Sequence, residues 1–256
     1  MILGFVGTGS ISSDVITGIC NSKIKFKRIY VSPRNKNKAQ KLKKKFKKVV
    51  IAKNNQDVVN KSEWICLGVL PKVGEKILPN LKFRNKQVII SFISTINYAQ
   101  LKKNINKKVK IVRAIPMPPI SLGKGPVVIF PPNRQVKNFF NKIGTTIEIK
   151  SEKLSQNFWA TSGTMAAFYE VLKVLSDWLV KKGLRRNQAQ QYITSLYSAL
   201  SELAAEHSNK DLKKFVAGSQ TPGGLNWQGV NQLRRSGYYK SLESTINNIL
   251  KRLNKK

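Results

Sequence analysis

The chain opens on a short apolar run, Ile2–Val6, that stops at a glycine, and residues 10–19 then carry apolar side chains at helical spacing. An apolar run of this length bounded by a turn reads as a strand buried on both faces. The same alternation recurs. Strands are expected at 27–31, 49–52, 64–70, 87–93, 109–113, 127–130 and 146–149. Helices are expected at 37–47, briefly at 56–60, and at 72–78 and 135–143, with one more running through Leu101 and capped by Ser94-Thr95. Pro71 is expected to stop the fourth strand. Strands alternating with helices predict a doubly wound, mainly parallel sheet.

Near Lys150 the pattern changes. Residues 155–181 keep helical spacing with one interruption at Gly163, and 186–207 form a second long helix with Ala189, Ile193, Leu196, Leu200 and Leu203 as an apolar stripe. A short helix at 211–217, a loop at 220–227 leading into another helix, and a last helix at 238–253 complete the chain. The fold class is therefore α/β: a Rossmann-type doubly wound sheet over 1–150, followed by an all-helical domain over 151–256. So much apolar helix in a small domain is expected to pair with another copy.

The first turn carries the candidate chemistry. Strand, Gly7-Thr8-Gly9-Ser10-Ile11-Ser12 and helix make a dinucleotide-binding fingerprint with Ser12 in place of the third glycine. Gly7 permits the tight turn, Gly9 lets backbone approach a pyrophosphate, and a small residue at 12 lets helix and strand pack closely. The first free N–H groups of the helix then face the phosphates. A glycine turn in some other βα unit is the competing reading. The second strand ends in Ser32-Pro33-Arg34-Asn35-Lys36, without the Asp or Glu that accepts from a ribose 2′-hydroxyl. A hydroxyl followed by basic groups suits a 2′-phosphate, so NADP(H) is preferred and NAD(H) remains possible. A plain basic turn in a basic chain is the alternative.

Composition narrows the class. The 256 residues suffice for one large or two medium domains. No apolar stretch is long enough to span a bilayer, and the first segment lacks the basic leader of a signal peptide. Two cysteines, Cys20 and Cys66, make no disulfide framework, so a reduced, cytoplasmic protein is expected. One histidine and no Cys/His spacing leave no metal site in view. Lys and Arg number 47 against 12 Asp and Glu, a net charge of +35. That balance raises nucleic-acid binding. The lysines are scattered through amphipathic segments such as 41–48, with neither a basic tail nor an aromatic-interleaved RNA motif, so a solvated face is preferred and a nucleic-acid partner is not expected. The field still favours anionic ligands.

Taken together, these pieces resemble pyrroline-5-carboxylate reductases, as a divergent member, over nearly the whole length. The elements are Gly4-Phe-Val-Gly7-x-Gly9, Val31-Ser32-x-Arg34, Leu67-Gly-Val-x-Pro71, Ile90-Ser91-Phe-Ile-Ser94 and Val112-Arg113-Ala-Ile-Pro116. Ser162-Gly163, Gly183-Leu184 and Thr221-Pro222-Gly223-Gly224 follow in order. The resemblance implies a homodimer or higher homo-oligomer and NADPH-dependent hydride transfer to a cyclic imino acid, giving L-proline in amino-acid biosynthesis. It places Gly7, Thr8, Gly9, Ser10, Ile11, Ser32, Arg34, Asn35, Leu70 and Pro71 along the cofactor and Pro116 near the nicotinamide. Gly223, Gly224, Leu225 and Asn226 would bind the substrate carboxylate, at a cleft made with the second subunit.

The departures lie on the substrate side. Ile115-Pro116-Met117 stands where the family has Met-Pro-Asn, Ser162-Gly-Thr-Met-Ala-Ala-Phe168 where it has Ser-Gly-Ser-Gly-Pro-Ala-Tyr, and Leu225-Asn226 where it has a threonine pair. Leu225 offers no side-chain donor. Ser162, Thr164 and Thr221 are the candidate catalytic hydroxyls, against helix capping and turn chemistry as the alternative. His207 reads as structural. Two other functions stay open: reduction of another small imine or carbonyl compound by the same fold, and non-catalytic nucleotide or nucleic-acid binding.

Overall fold

The computed structural model describes residues 1–105 and 109–254. The chain divides into two compact units, Met1–Ser155 and Gln156–Lys256. The division falls after Ser155 because Glu152 belongs to the first unit. Its carboxylate pairs with Arg113, midway along the sheet strand Lys110–Pro116, and accepts the Tyr98 N–H at 2.8 Å.

The first unit is one eight-stranded sheet in the order β3-β2-β1-β4-β5-β6-β7-β8. Its strands are β1 (Ile2–Val6), β2 (Arg28–Val31), β3 (Val49–Ile51), β4 (Trp64–Leu67), β5 (Val88–Ser91), β6 (Lys110–Pro116), β7 (Pro126–Phe130) and β8 (Thr145–Glu148). Neighbours are parallel except β6 and β7, which run antiparallel. Order reverses on either side of β1, which creates a crevice beyond the carboxyl ends of β1 and β4. The helices are α1 (Ser10–Asn21), α2 (Lys36–Lys45), α3 (Asn55–Lys61), α4 (Pro71–Ile77), α5 (Tyr98–Ile105) and α6 (Arg134–Phe140). Two apolar clusters fill the layers on either side of the sheet. One is built on Phe5, Ile16, Ile19, Ile29 and Phe140, the other on Ile65, Leu67, Leu78, Ile89 and Ile93.

Two local expectations need correction. Pro71 does not stop β4, which ends at Leu67. Pro71 is the first residue of α4, where its missing N–H would have had no helical partner. Ser94-Thr95 does not cap α5 either. Asn97 Oδ1 accepts from Gln100 N–H at 2.9 Å while Gln100 Oε1 accepts from Asn97 N–H at 2.9 Å, a reciprocal capping box that starts the helix at Tyr98.

The second unit holds α7 (Ser155–Ser162), α8 (Met165–Lys181), α9 (Arg186–Glu206), α10 (Leu212–Gly218), α11 (Leu225–Arg235) and α12 (Tyr238–Asn254). No strand occurs there among the described residues. The break between α7 and α8 falls at Gly163, beside which Ile249 packs. α8 lies against α9, and α11 against α12. Leu225, Asn226 and Trp227, expected in a loop, form the first turn of α11. The burial in this unit is thin: Ala160, Ala189 and Ile193 are its only buried apolar residues among those described. Among the described residues no helix is long and apolar enough to cross a membrane.

Candidate active site

The crevice beyond β1 and β4 is a cleft of about 860 Å³. Gly7, Thr8, Gly9, Ser10 and Ile11 supply one wall; Arg34, Asn35, Lys36 and Asn37 follow β2; Gly68, Val69, Leu70 and Pro71 follow β4; Phe92, Ile93 and Ser94 follow β5. Nine of the expected cofactor residues therefore meet in one place. Each loop arrives there because a parallel strand delivers it to the same sheet edge.

The backbone shows why glycines stand at 7 and 9. Gly7 has φ +97°, and a Cβ there would sit 2.5 Å from the Gly68 carbonyl oxygen. Any side chain is both strained and blocked. Gly9 is different: a Cβ there would meet nothing nearer than 3.7 Å. The protein's own packing does not demand that glycine, whereas close approach of a bound group would. Gly9 caps α1 without a side-chain hydrogen bond, which leaves the first-turn N–H groups aimed at the cleft. Ser12 is fully buried, and its Oγ would lie 2.1 Å from a Cβ on Gly68. A larger residue at 12 would push α1 away from the β4 loop.

Ser32 is placed otherwise than expected. It is 1 % exposed and lies beneath the cleft rather than in its wall. Its hydroxyl accepts from Gly7 N–H at 3.0 Å and donates to Asn55 Oδ1 at 2.7 Å, while its carbonyl accepts from Thr8 Oγ1 at 2.8 Å. Ser32 thus holds the glycine turn in shape, and its hydroxyl is committed to protein partners. The exposed positive groups beside it are Arg34 and Lys36. Lys38, not singled out from sequence, reaches across from α2 and donates to Ser10 Oγ at 2.6 Å. Pro116 ends β6, buried and paired with Val127, and is absent from the cleft wall.

The cleft wall contains no Asp, Glu, His, Cys or Tyr. It is therefore equipped to hold a polyanion and a flat ring against Val69, Phe92 and Ile93, not to move protons. Burial raises the Asp14 carboxyl above its ordinary range, opposed by Lys38. Burial pushes the Cys20 thiol up to about 11 and the fully buried Cys66 thiol further still, which keeps both protonated and unreactive.

The expected substrate residues lie in the second unit. Ser162 Oγ donates to the Phe158 carbonyl at 2.7 Å and Thr164 Oγ1 to the Thr161 carbonyl at 2.7 Å, so both hydroxyls serve their own helix ends. Thr221 heads a tight turn closed by Gly224 N–H to the Thr221 carbonyl at 2.8 Å, with Gly223 at φ +74°. Leu225 projects into solvent, 87 % exposed, and Asn226 Nδ2 donates to the Ser219 carbonyl at 2.9 Å. His207 caps the end of α9 and packs at a tilt against Phe215, with ring centroids 5.6 Å apart.

Known proteins bear on both units. Residues 2–95 match the family model described as NADP oxidoreductase coenzyme F420-dependent, and residues 152–256 match the model described as pyrroline-5-carboxylate reductase dimerisation. The chain is 24% identical to a pyrroline-5-carboxylate reductase of Staphylococcus saprophyticus, over 98% of this chain and 94% of that one. It is 20% identical to the enzyme of that name from Corynebacterium melassecola, over 92% and 91%. Among solved structures, a Coxiella burnetii pyrroline-5-carboxylate reductase superposes with TM-score 0.83 at 20% identity, covering 99% of this chain and 97% of that one. A Plasmodium falciparum pyrroline carboxylate reductase with NADP bound gives 0.81 at 23%, covering 98% and 96%. A glycine-turned nucleotide cleft joined in sequence to a helical unit of this type, matched along the full length by relatives of one name, places the chain in the pyrroline-5-carboxylate reductase family.

Proposed function

We propose that the protein is an NADPH-dependent reductase of a cyclic imino acid, with pyrroline-5-carboxylate as substrate and L-proline as product. The observation that carries this reading is the cleft at the β1–β4 crevice, which combines an open approach over Gly9 with Arg34 and Lys36 at its rim. The residues fit a dinucleotide phosphate. First-turn N–H groups of α1 and the Ser10 hydroxyl hold the pyrophosphate, and Arg34 and Lys36 take the 2′-phosphate by charge-assisted hydrogen bonds. When bound, the cofactor supplies the hydride. The protein's own work is to bind, orient and exclude water, since a cyclic iminium arrives already protonated and asks for no strong protein acid. The turn at 221–226 takes the carboxylate through the first-turn N–H groups of α11, which Gly224 at the N-cap leaves uncovered, while the Gly224 N–H itself closes the turn on the Thr221 carbonyl.

The test is NADPH oxidation, followed at saturating cofactor, with pyrroline-5-carboxylate and a panel of cyclic and acyclic imines. Turnover of the five-membered imino acid above all others supports the reading. NADPH binding without turnover of any imine sinks it. A second reading, reduction of a more apolar imine, is favoured by one observation. Leu225 stands exposed where a hydroxyl donor belongs, and the Asn226 amide is engaged by the Ser219 carbonyl.

A further inference from the structure

The basic residues are not spread evenly over the fold. Between Asp14 and Asp57 there is no acidic residue at all, against fourteen Lys and Arg. Some of these face the cleft, but two runs, 23–28 and 43–48, do not. The structure brings these two together. Lys48 carbonyl accepts the Ile29 N–H at 2.9 Å, which sets the start of β3 beside the start of β2. Lys48 Nζ lies 5.1 Å from the Phe26 ring centroid and 3.4 Å from the Phe26 carbonyl oxygen. Lys45 lies over Phe46 at 5.3 Å. The result is one surface at the amino ends of β2 and β3, at the opposite end of the strands from the cleft.

Lys25, Lys27, Arg28, Lys45, Lys47 and Lys48 are all exposed there, and no ion pair among the described residues reaches any of them. Glu63, beside the start of β1, is occupied by the Ile2 N–H and the Met1 ammonium, and Asp14, which lines a hollow with Lys45, is shared there with Lys38 and Lys41. Like charges so crowded repel one another unless anions lie over them. We propose that this surface is a docking site for the phosphate backbone of duplex nucleic acid. Three features select that partner. The apolar residues of the patch are withheld, Ile24 and Leu42 buried and Phe26 and Phe46 half-buried under lysines, so nothing is offered for insertion into a lipid bilayer. The cations are nearly all lysines, point charges suited to phosphates but not to the bidentate reading of base edges. No exposed aromatic ring is offered on which an unpaired base could stack. Binding is therefore independent of sequence and strongly dependent on salt. About six phosphate contacts predict a loss of affinity on the order of a thousandfold between 50 and 200 mM salt.

The test uses the full chain and a mixed-sequence duplex of 20 base pairs, with binding followed by fluorescence anisotropy across that salt range. Lys25, Lys27, Lys45, Lys47 and Lys48 are changed together to Gln, and a control carries K76Q, K82Q, K102Q, K103Q and K142Q, with the same net charge. The patch variant should lose at least thirtyfold in affinity and most of its salt slope, and the control should lose less than threefold. Equal losses in both would show that only the diffuse charge acts and would overturn the proposal. So would the absence of duplex binding by the unaltered protein at 100 mM salt, or binding of phosphatidylserine vesicles in its place. Should the patch variant fail to fold, lysine acetylation of the unaltered protein decides. The duplex should protect Lys25, Lys27 and Lys47 while Lys76 and Lys102 react as before, and uniform reaction would reject the site.

Discussion

The two units solve the problem of burial differently. In Met1–Ser155 most large apolar side chains are enclosed by the unit's own sheet and helices, with Phe5, Leu3, Ile65, Ile89 and Phe140 fully buried and Leu70 and Leu122 as the main exceptions. In Gln156–Lys256 the helices are as apolar in pattern, yet Phe168, Tyr169, Trp178, Tyr192, Leu196, Leu200 and Leu203 are exposed. A sheet covered on both faces can finish its core alone. Helices paired two by two cannot, and an apolar surface of this extent marks an association face. The family model matched by residues 152–256 is named for dimerisation, and cover by a second copy is the reading that fits. The lesson is that helical pattern reports an intention to bury, whereas only the structure says whether the chain itself supplies the cover.

Phe5→Ala should destabilise the first unit by about 3–5 kcal/mol, seen as a lowered denaturant midpoint, because a fully buried ring leaves a cavity the sheet cannot collapse. Leu200→Ala, by contrast, should move the midpoint by under about 1 kcal/mol at concentrations where the chain is monomeric, since its side chain is half exposed there. Comparable losses from the two would abolish the distinction drawn between the units.

Leu196→Glu with Leu200→Glu should weaken self-association by about a hundredfold or more, each leucine contributing about 1.5–3 kcal/mol once covered. Sedimentation velocity at micromolar concentration reads the result. An unaltered protein that is monomeric there, with full reductase activity, would remove the need for a partner altogether.

Within the first unit, Arg34→Ala should raise the Kd for NADPH about tenfold or more and leave NADH nearly unchanged, the loss of a bond to a charged group being worth about 1.5–3 kcal/mol. Titration of the two cofactors by fluorescence decides it. Equal affinity of the unaltered protein for both would mean that the rim charges do not read the 2′-phosphate. In the second unit, replacing Leu225-Asn226 by Thr-Thr should raise kcat/KM for pyrroline-5-carboxylate roughly tenfold, for a restored interaction of about 1.4 kcal/mol. An unchanged or reduced rate would favour the more apolar imine.

The smallest effects come from acid. Asp57 is held below its ordinary range first by the Lys53 N–H and then by Lys61, and Asp177 first by Arg186. Both pKa values are depressed in the folded chain, so their stabilisation is present above the ordinary carboxylate value of 3.8 and disappears as pH falls through the lower folded value. Asp57→Asn and Asp177→Asn should each flatten the acid limb of stability slightly. No change in that limb for Asp57→Asn would show that the charge of Asp57 contributes nothing to folding.

Much of the site was legible because its signals are local. Gly7 and Gly9 sit between a strand run and a helix run, and each glycine answers a backbone demand that no neighbour alters. Arg34 was legible from the missing acid after β2. Ser32 was misjudged because a hydroxyl beside basic residues looks the same whether it faces a ligand or a turn. Only the arrival of Asn55 and Gly7 N–H at its Oγ distinguishes them. Lys38, Phe92, Ile93 and Ser94 carried no motif, and the sheet order brings them to the cleft or its rim. The α5 cap was misplaced because Ser94-Thr95 and Asn97 both satisfy the composition rule, and the reciprocal bond with Gln100 decides between them.

The order of residues alone settles the alternation of strands and helices, the change to all-helical structure after residue 152, the glycine turn before α1 and the positive charge that follows β2. These follow from period, from backbone freedom and from charge, all properties of neighbouring residues. The tertiary structure alone decided that β7 runs against β6, since an apolar run has no direction until it pairs. It decided that Arg113 and Glu152 join, tying the chain into the first unit before the helices begin. It also merged two separate lysine runs into one surface, because β2 and β3 start side by side although about twenty residues separate them in the chain.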